Sequence, residues 1–324
     1  VPDERLRVLS GMFKPKKTVP IEMRHIDVGA SMKGSQPENR GFSGELLNQL
    51  SAVDTLIGVV RGFREESIPH PEGSIDIRRD IATLNLELAF SDLAIIERRL
   101  ERIEGSLKAA KAGERPAILR EQEMMLNFKK AIESDIPVRD MDINPAEVKA
   151  IANYQFLSAK PLLVVINIGE DQLDEIEAIE SEYADAAASP KCRVAALCGK
   201  LEAELASMSE EDARVFREDY GLRESGLAKA IRLSYEISDM ISFFTVGDDE
   251  CRAWPVHRGT TAQKAAGKIH SDLEKGFIRA ETISYENLVR CGGLAEGRKQ
   301  GVLRQEGKEY IVQDGDVLTI LFNV

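Results

Sequence analysis

The sequence predicts an α/β protein: a parallel sheet interrupted by a helical insertion, followed by a small C-terminal domain of the β-grasp kind. Three observations carry this. The apolar runs Thr55–Val60 (TLIGVV) and Pro161–Ile168 (PLLVVINI) are apolar on both faces, as strands of a buried parallel sheet are. Between them, Leu86, Leu93, Leu100 and Leu107 recur every seven residues with Ile96 and Ile103 interleaved, which from Leu93 onward is an a/d helical seam. After Met240 the pattern changes to short strand-like pieces around one helix.

Taken in order, residues 3–12 read as a short helix introduced by Pro2 and Asp3, followed by a basic loop from Lys14 to Lys17. Ile21–Val28 reads as a strand that reaches its end at Asp27. Gly29–Gly44 is too polar and glycine-rich for a regular element. Leu46–Val53 fits a helix. The heptad helix begins near Asp76 and is broken by Ala109–Pro116. A second helix then offers Ile118, Leu119, Met125, Leu126 and Ile132 as inner positions, giving an antiparallel hairpin. Strands at Pro161–Ile168 and Val194–Leu197 flank an acidic helix, Asp171–Ala187, which makes a parallel α/β unit. Phe243–Val246, Ala253–Val256, Phe277–Ile283 and Val317–Phe322 read as the last strands. A helix from Gly259–Ala262 to about Leu273 crosses them, with the Thr261 hydroxyl placed to accept from its first-turn amides. The expected partition is 1–75 and 151–238 as two parts of one α/β domain, 76–150 as the helical insertion, and 239–324 as the C-terminal domain.

Composition excludes several classes. A net charge of −12 argues against a protein that coats nucleic acid, so DNA is not an expected partner. The longest apolar run is strand-sized, so no membrane-spanning segment is expected. Four cysteines show neither a CxxC nor a histidine pairing at zinc spacing, which fits reduced cytoplasmic thiols. The chain opens at Val1 rather than a methionine, and Val1 is expected to be an internal residue of a longer product.

Nucleotide chemistry on a parallel sheet takes place at the carboxyl ends of the strands. Asp27-Val28-Gly29-Ala30 follows the first expected strand. In phosphate-binding folds an Asp here orders the water shell of a magnesium ion, and a backbone N–H three residues on meets the terminal phosphate. Asn167-Ile168-Gly169-Glu170 stands where a base-reading motif belongs. GTP-binding proteins use Asp at its fourth position, and the longer Glu170 no longer fits guanine in the same way. Cys198-Gly199-Lys200 stands where a backbone loop closes over the base. Singly, each has a plainer reading: a helix cap, a chance NxxE, a turn glycine. In this order, each at a strand end, they point to a nucleotide site.

Ala253–Val256 (AWPV), Thr260–Ile283 (TTAQKAAGKIHSDLEKGFIRAETI), Glu309–Val312, Asp314–Val317 and Leu321–Val324 resemble the signature of the Obg-like (YchF-type) ATPases, P-loop NTPases with a C-terminal TGS domain. The resemblance runs through the whole chain. Val1–Leu6 matches the segment after the first switch loop, and Ile81–Ile132 matches a coiled-coil insertion. Asn167–Glu170 matches an altered base motif that goes with preference for ATP over GTP. The resemblance implies an incomplete P-loop NTPase sheet, ATP as substrate with Mg²⁺, and a translation-related switch on the ribosome. It implies that Asn167 reads the adenine edge, Ile168 contacts the base, Cys198 and Gly199 line the base pocket, and Asp27 holds the metal's water shell.

The sequence departs from the family in two places. It has no GxxxxGK[ST] loop, which supplies the phosphate cradle, its lysine and the direct metal ligand. The chain is therefore expected to bind nucleotide poorly and hydrolyse none. Ala30 stands where the family has glycine, with glycine at 29 instead, and Ser31–Arg40 lacks the usual glycine pattern. The resemblance also implies no water-orienting glutamine of the classical GTPase kind, so no catalytic base is assigned. In the C-terminal domain Lys264, Lys268, Lys275, Arg279, Arg298, Lys299, Arg304 and Lys308 are either a solvated surface or a contact for ribosomal RNA. The competing expectation is a nucleotide-independent adaptor that binds the ribosome or a protein through its arm and C-terminal domain.

Overall fold

The computed structural model describes residues 1–28, 42–151, 153–187 and 189–323. It divides into two units, Ile26–Ser238 and a second made from both chain ends, Val1–His25 with Asp239–Val324. The chain starts in that second unit with α1 (Glu4–Phe13) and β1 (Lys17–Val19). Asp3 caps α1 by accepting from the Arg5 N–H, and Lys14 closes it in the left-handed region. Residues 1–25, expected to open the nucleotide-binding domain, thus group with the C-terminal unit. Residues 21–28, expected as a strand, carry no regular structure. Their charged residues leave Ile21 buried at 4% exposure but Ile26 half in solvent. Ala30 and Ser31–Arg40 lie outside the described residues.

The Ile26–Ser238 unit continues with α2 (Gly44–Ala52), β2 (Leu56–Arg61), α3 (Ile77–Ala109), α4 (Arg115–Ile132), α5 (Pro145–Ile151), β3 (Leu162–Asn167), α6 (Ile176–Glu182), β4 (Cys192–Leu197), α7 (Gly199–Leu205), α8 (Glu210–Asp219) and α9 (Gly226–Ile237). The expected acidic helix is broken into 3-10 turns at Glu170–Glu175 and Ala184–Ala187 around the short α6. β2, β3 and β4 form a parallel sheet with β3 in the middle. On one face Leu56, Val60, Leu162, Val164, Ile166 and Ala196 pack against Ile81 and Leu88 of α3 and Leu201 of α7. A Cβ on Gly58 would stand 2.2 Å from a Leu84 methyl, so glycine lets α3 lie close on β2. On the other face Leu163, Val165 and Ala195 pack against Ile237 of α9. Burial on both faces therefore holds for β3. It fails for β2, where Ile57 and Val59 are 39% and 66% exposed, because α9 covers β3 and β4.

α3 and α4 form the expected antiparallel hairpin, with Ile96, Ile103, Met124, Met125, Phe128 and Ile132 buried between them. Leu119 and Leu126, expected inside on the second helix, are 49% and 50% exposed, whereas Leu93, Leu100 and Leu107 pack on the hairpin core as expected. Met124 and Phe128 take the inner positions on α4. At the arm's root the fully buried Asp92 accepts from the N–H groups of Leu157 and Ser158, both at 2.7 Å. Burial pushes its carboxyl up to about 6, although those bonds and nearby Arg139 favour the ionised form.

The second unit resumes with β5 (Met240–Thr245), β6 (Glu250–His257), α10 (Ala262–Ile269), α11 (Ser271–Lys275), β7 (Phe277–Ser284), α12 (Tyr285–Cys291), α13 (Leu294–Lys299), β8 (Arg304–Glu306) and β9 (Asp316–Phe322). The six strands run in the order β1-β6-β5-β9-β7-β8, with β1–β6 and β5–β9 parallel and the other pairs antiparallel. Ile241, Phe243, Val256, Ala265, Ala280 and Leu318 form the core. Thr261 takes the N-cap position of α10 without making the expected side-chain bond. The Ala262 N–H instead donates to the Tyr310 carbonyl at 2.7 Å, so a neighbouring loop satisfies the helix start.

Candidate functional site

β2, β3 and β4 are in register, so Arg61, Asn167 and Leu197 end the strands in one row. The backbone of Asn167 is pinned from both sides. Its carbonyl accepts from the Gly62 N–H at 2.7 Å, and the next residue, Ile168, donates to the Leu197 carbonyl at 2.9 Å. The Asn167 side chain then turns toward β4, where Oδ1 accepts from the Gly199 N–H at 2.9 Å. That bond fixes the amide and leaves the Nδ2 group as donor on its other side. A Cβ on Gly199 would meet Asn167 Oδ1 at 3.1 Å, so the close approach needs the glycine.

Ile168 and Cys198 are buried at 2% and 4% exposure and form an apolar floor beneath this pair. Glu170 opens the following 3-10 turn, and its carboxylate meets Lys200 Nζ at 3.0 Å. The hydrogen bond to Glu170 raises the Lys200 ammonium above its ordinary value. A Cβ on Gly169 would stand 2.3 Å from Asp171 Oδ1, so a side chain there would displace that carboxylate.

The structure therefore brings Asn167, Ile168, Glu170, Cys198 and Gly199 together at the ends of adjacent strands. It does not bring Asp27 to a strand end, for Asp27 is exposed in the irregular stretch before residue 29. Sequence reasoning gave no role to two residues of this neighbourhood, Lys200, named only as part of Cys198-Gly199-Lys200, and Arg61. Lys200 pairs with Glu170, and its only signal was its place one residue beyond Gly199. Arg61 donates to the carbonyls of Phe63, Glu65 and Ile68 at 3.1, 3.0 and 2.7 Å and so folds back the loop after β2. An arginine closing an apolar strand was the available signal.

A family model named YchF-GTPase_C, described as a protein of unknown function (DUF933), matches residues 240–323. The ribosome-binding ATPase YchF of Bacillus subtilis is 38% identical over all of this chain and 88% of its own length. The chain belongs to the YchF/Obg-like ATPase family. Obg-like ATPase 1 of Caenorhabditis elegans is 33% identical across the whole chain and 81% of its own length. The structure of the Schizosaccharomyces pombe YchF GTPase superposes with a TM-score of 0.85 at 30% identity, covering 99% of this chain and 86% of that one. The YchF fold is thus shared along almost the full chain, including the arm and both units.

Magnesium is the ion this family implies. It takes near-octahedral oxygen ligands, with one or two carboxylates beside substrate phosphates. Among the described residues no group of three or more His, Cys, Asp or Glu could hold a metal ion. Asp27 was expected only to order the ion's water shell, and no step is drawn through the ion. No helix among them is long and apolar enough to cross a membrane.

Proposed function

We propose that this chain carries the base-reading part of an ATP-preferring nucleotide switch that works at the ribosome in the cytoplasm. One observation carries the reading: the Asn167 amide, held by Gly199 at the end of the buried β3, has its Oδ1 engaged and, among the described residues, leaves its Nδ2 to donate to the acceptor edge of a purine. Preference for ATP draws on Glu170. A carboxylate that selects guanine must be free to accept two N–H groups, and this one is engaged by Lys200. The names of the relatives supply ATP hydrolysis and the ribosome as expectations for the family's role, and magnesium comes from the resemblance to P-loop NTPases alone. The basic residues Lys264, Lys268, Lys275 and Arg279 are the proposed contact for ribosomal RNA. The sequence has no phosphate-binding loop, so this chain alone is expected to bind ATP weakly, on the order of millimolar, and to turn none over.

Calorimetric titration with ATP and GTP side by side tests this. ATP should bind more tightly, and Asn167→Ala should weaken it roughly tenfold without unfolding the sheet. Equal affinities for the two nucleotides would sink the base-reading assignment. A second reading, the nucleotide-independent adaptor, draws on the position of Asp27 away from any strand end. Ribosome co-sedimentation that ignores ATP would favour it.

A further inference from the structure

The far end of the α3–α4 arm plays no part in the base site. From Leu88, the last residue of α3 that packs on the parallel sheet, the helix continues to Ala109, a rise of about 30 Å. The buried seam stops short of the tip. Ile103 on α3 and Met124 on α4 are its outermost buried residues, and beyond them only Leu107 and Ile118 pack partly against it.

Charge is spread unevenly along this arm. Nearer the root, Arg79, Arg99 and Lys129 each meet a carboxylate, Asp80 at 2.9 Å, Glu121 at 2.7 Å and Glu97 at 2.8 Å. At the tip Lys108, Lys111, Arg115 and Arg120 are exposed, and none of them makes an ion pair among the described residues. Glu114 is the one carboxylate between residues 105 and 120, and it accepts from the Lys111 N–H at 3.2 Å, so it serves the backbone of the turn. Arg115 Nη2 donates to the Leu107 carbonyl at 3.4 Å, which brings its charge back beside Lys108. The tip is thus a positive end on a chain whose net charge is −12.

The helix dipole accounts for Lys108 in the last turn of α3, but not for Lys111 beyond that helix or Arg120 inside α4. Apart from the charged residues, the side chains from Ala109 to Ala117 are alanine, glycine and proline. A segment that lies on a membrane carries Trp, Phe or Leu to bury, and a protein contact is anchored by buried aromatic side chains. This stretch offers neither. Cations among small neighbours suit phosphate oxygens, which are met through charge and access alone.

We propose that the arm tip is a contact for the phosphate backbone of double-stranded RNA, made by Lys108, Lys111, Arg115 and Arg120. This deepens the ribosome reading above and rests on it. Phosphate contacts carry no base sequence, so the binding is sequence-independent and weakens steeply with salt.

Fluorescence anisotropy of the full chain with a labelled RNA duplex of roughly 16 base pairs, from about 50 to 200 mM salt, tests the tip. Lys108→Gln, Lys111→Gln and Arg115→Gln together should weaken binding at least about tenfold at the lower salt, and should reduce the slope of log affinity against log salt by about 2–3. Lys108→Arg with Lys111→Arg and Arg115→Lys keeps the charge and should bind as the parent does. The proposal is overturned by a parent that fails to bind the duplex, by a neutralised variant that keeps the parent's affinity and slope, or by tighter binding to phosphatidylserine vesicles than to the duplex. The side chains of Lys108 and Lys111 make no bond among the described residues, so Lys108→Gln with Lys111→Gln reads the tip even where the triple variant misfolds. Co-sedimentation over the same salt range separates the two readings. A parent that does not sediment with ribosomes defeats the ribosome reading, whereas a neutralised variant that sediments as the parent does defeats the tip contact alone.

Discussion

The two sheets are assembled in opposite ways. In the parallel sheet every group of the proposed base site lies within three residues of a strand end, and the strands follow one another in chain order. In the six-stranded sheet the first strand comes from residues 17–19 and its neighbour from residues 250–257, and the ion pair that secures the join spans positions 5 and 314. The first sheet places chemistry by local rules. The second places it by closing the chain on itself, which no local pattern announces. The parallel sheet also differs within itself, since β3 is buried on both faces whereas β2 is covered on one.

The contrast can be broken or sharpened by substitution. The largest effect is expected at β3, where Leu163→Ala should destabilise the Ile26–Ser238 unit by about 2–5 kcal/mol in denaturant unfolding, because Leu163 is fully buried. A small change there would mean that the back face is loosely packed. Next comes Asp92 at the root of the arm. Its folded-state value of about 6 lies above the ordinary 3.8, so its contribution to stability is fully present below pH 3.8 and is lost as pH rises through 6. The loss should be on the order of 2–3 kcal/mol, and Asp92→Asn should flatten the stability profile between pH 4 and 6. A variant that keeps the parent's slope would place that titration elsewhere.

A smaller effect is expected at the closure. Asp314→Asn should cost about 1–2 kcal/mol, discounted because Asp314 is 46% exposed, and the loss should be read in the unfolding of the second unit. Burial raises the Asp314 carboxyl, but Arg5 and the Ser242 N–H outweigh it and hold the group below 3.8. Its contribution is therefore present above pH 3.8 and lost as pH falls through the lowered value. The smallest change is expected at Val59→Ala, within about 0.5 kcal/mol, because that side chain faces solvent on β2. A large loss there would show that something covers the back of β2 in solution.

Much of the parallel sheet was legible because buried strands and their ends leave strong local signals. PLLVVINI marks β3, and Asn167, Glu170 and Gly199 stand at the positions the strand-end rule selects. TLIGVV carries the same signal, yet apolar sequence reports only that a face suits burial, so the exposure of Val59 was not readable. The heptad leucines gave the hairpin and the seam of its first helix from Leu93 onward, but Leu119 and Leu126 of the second helix face outward, where Met124 and Phe128 take the inner positions. Ile21–Val28 looked like a strand from its apolar residues alone, and the charged positions between them decided otherwise. Arg5 meeting Asp314 needed the fold itself.

The central claim is that Asn167 and Gly199 form a base-reading pair. The most direct measurement is amide NMR of the full chain during titration with ATP, repeated with GTP and in Asn167→Ala. The account predicts that the Gly199 amide and the Asn167 side-chain amide shift with ATP at lower concentration than with GTP, and that the ATP-dependent shift at Gly199 is lost in Asn167→Ala. Shifts that leave both groups unmoved, or that persist at Gly199 without the Asn167 amide, would contradict it.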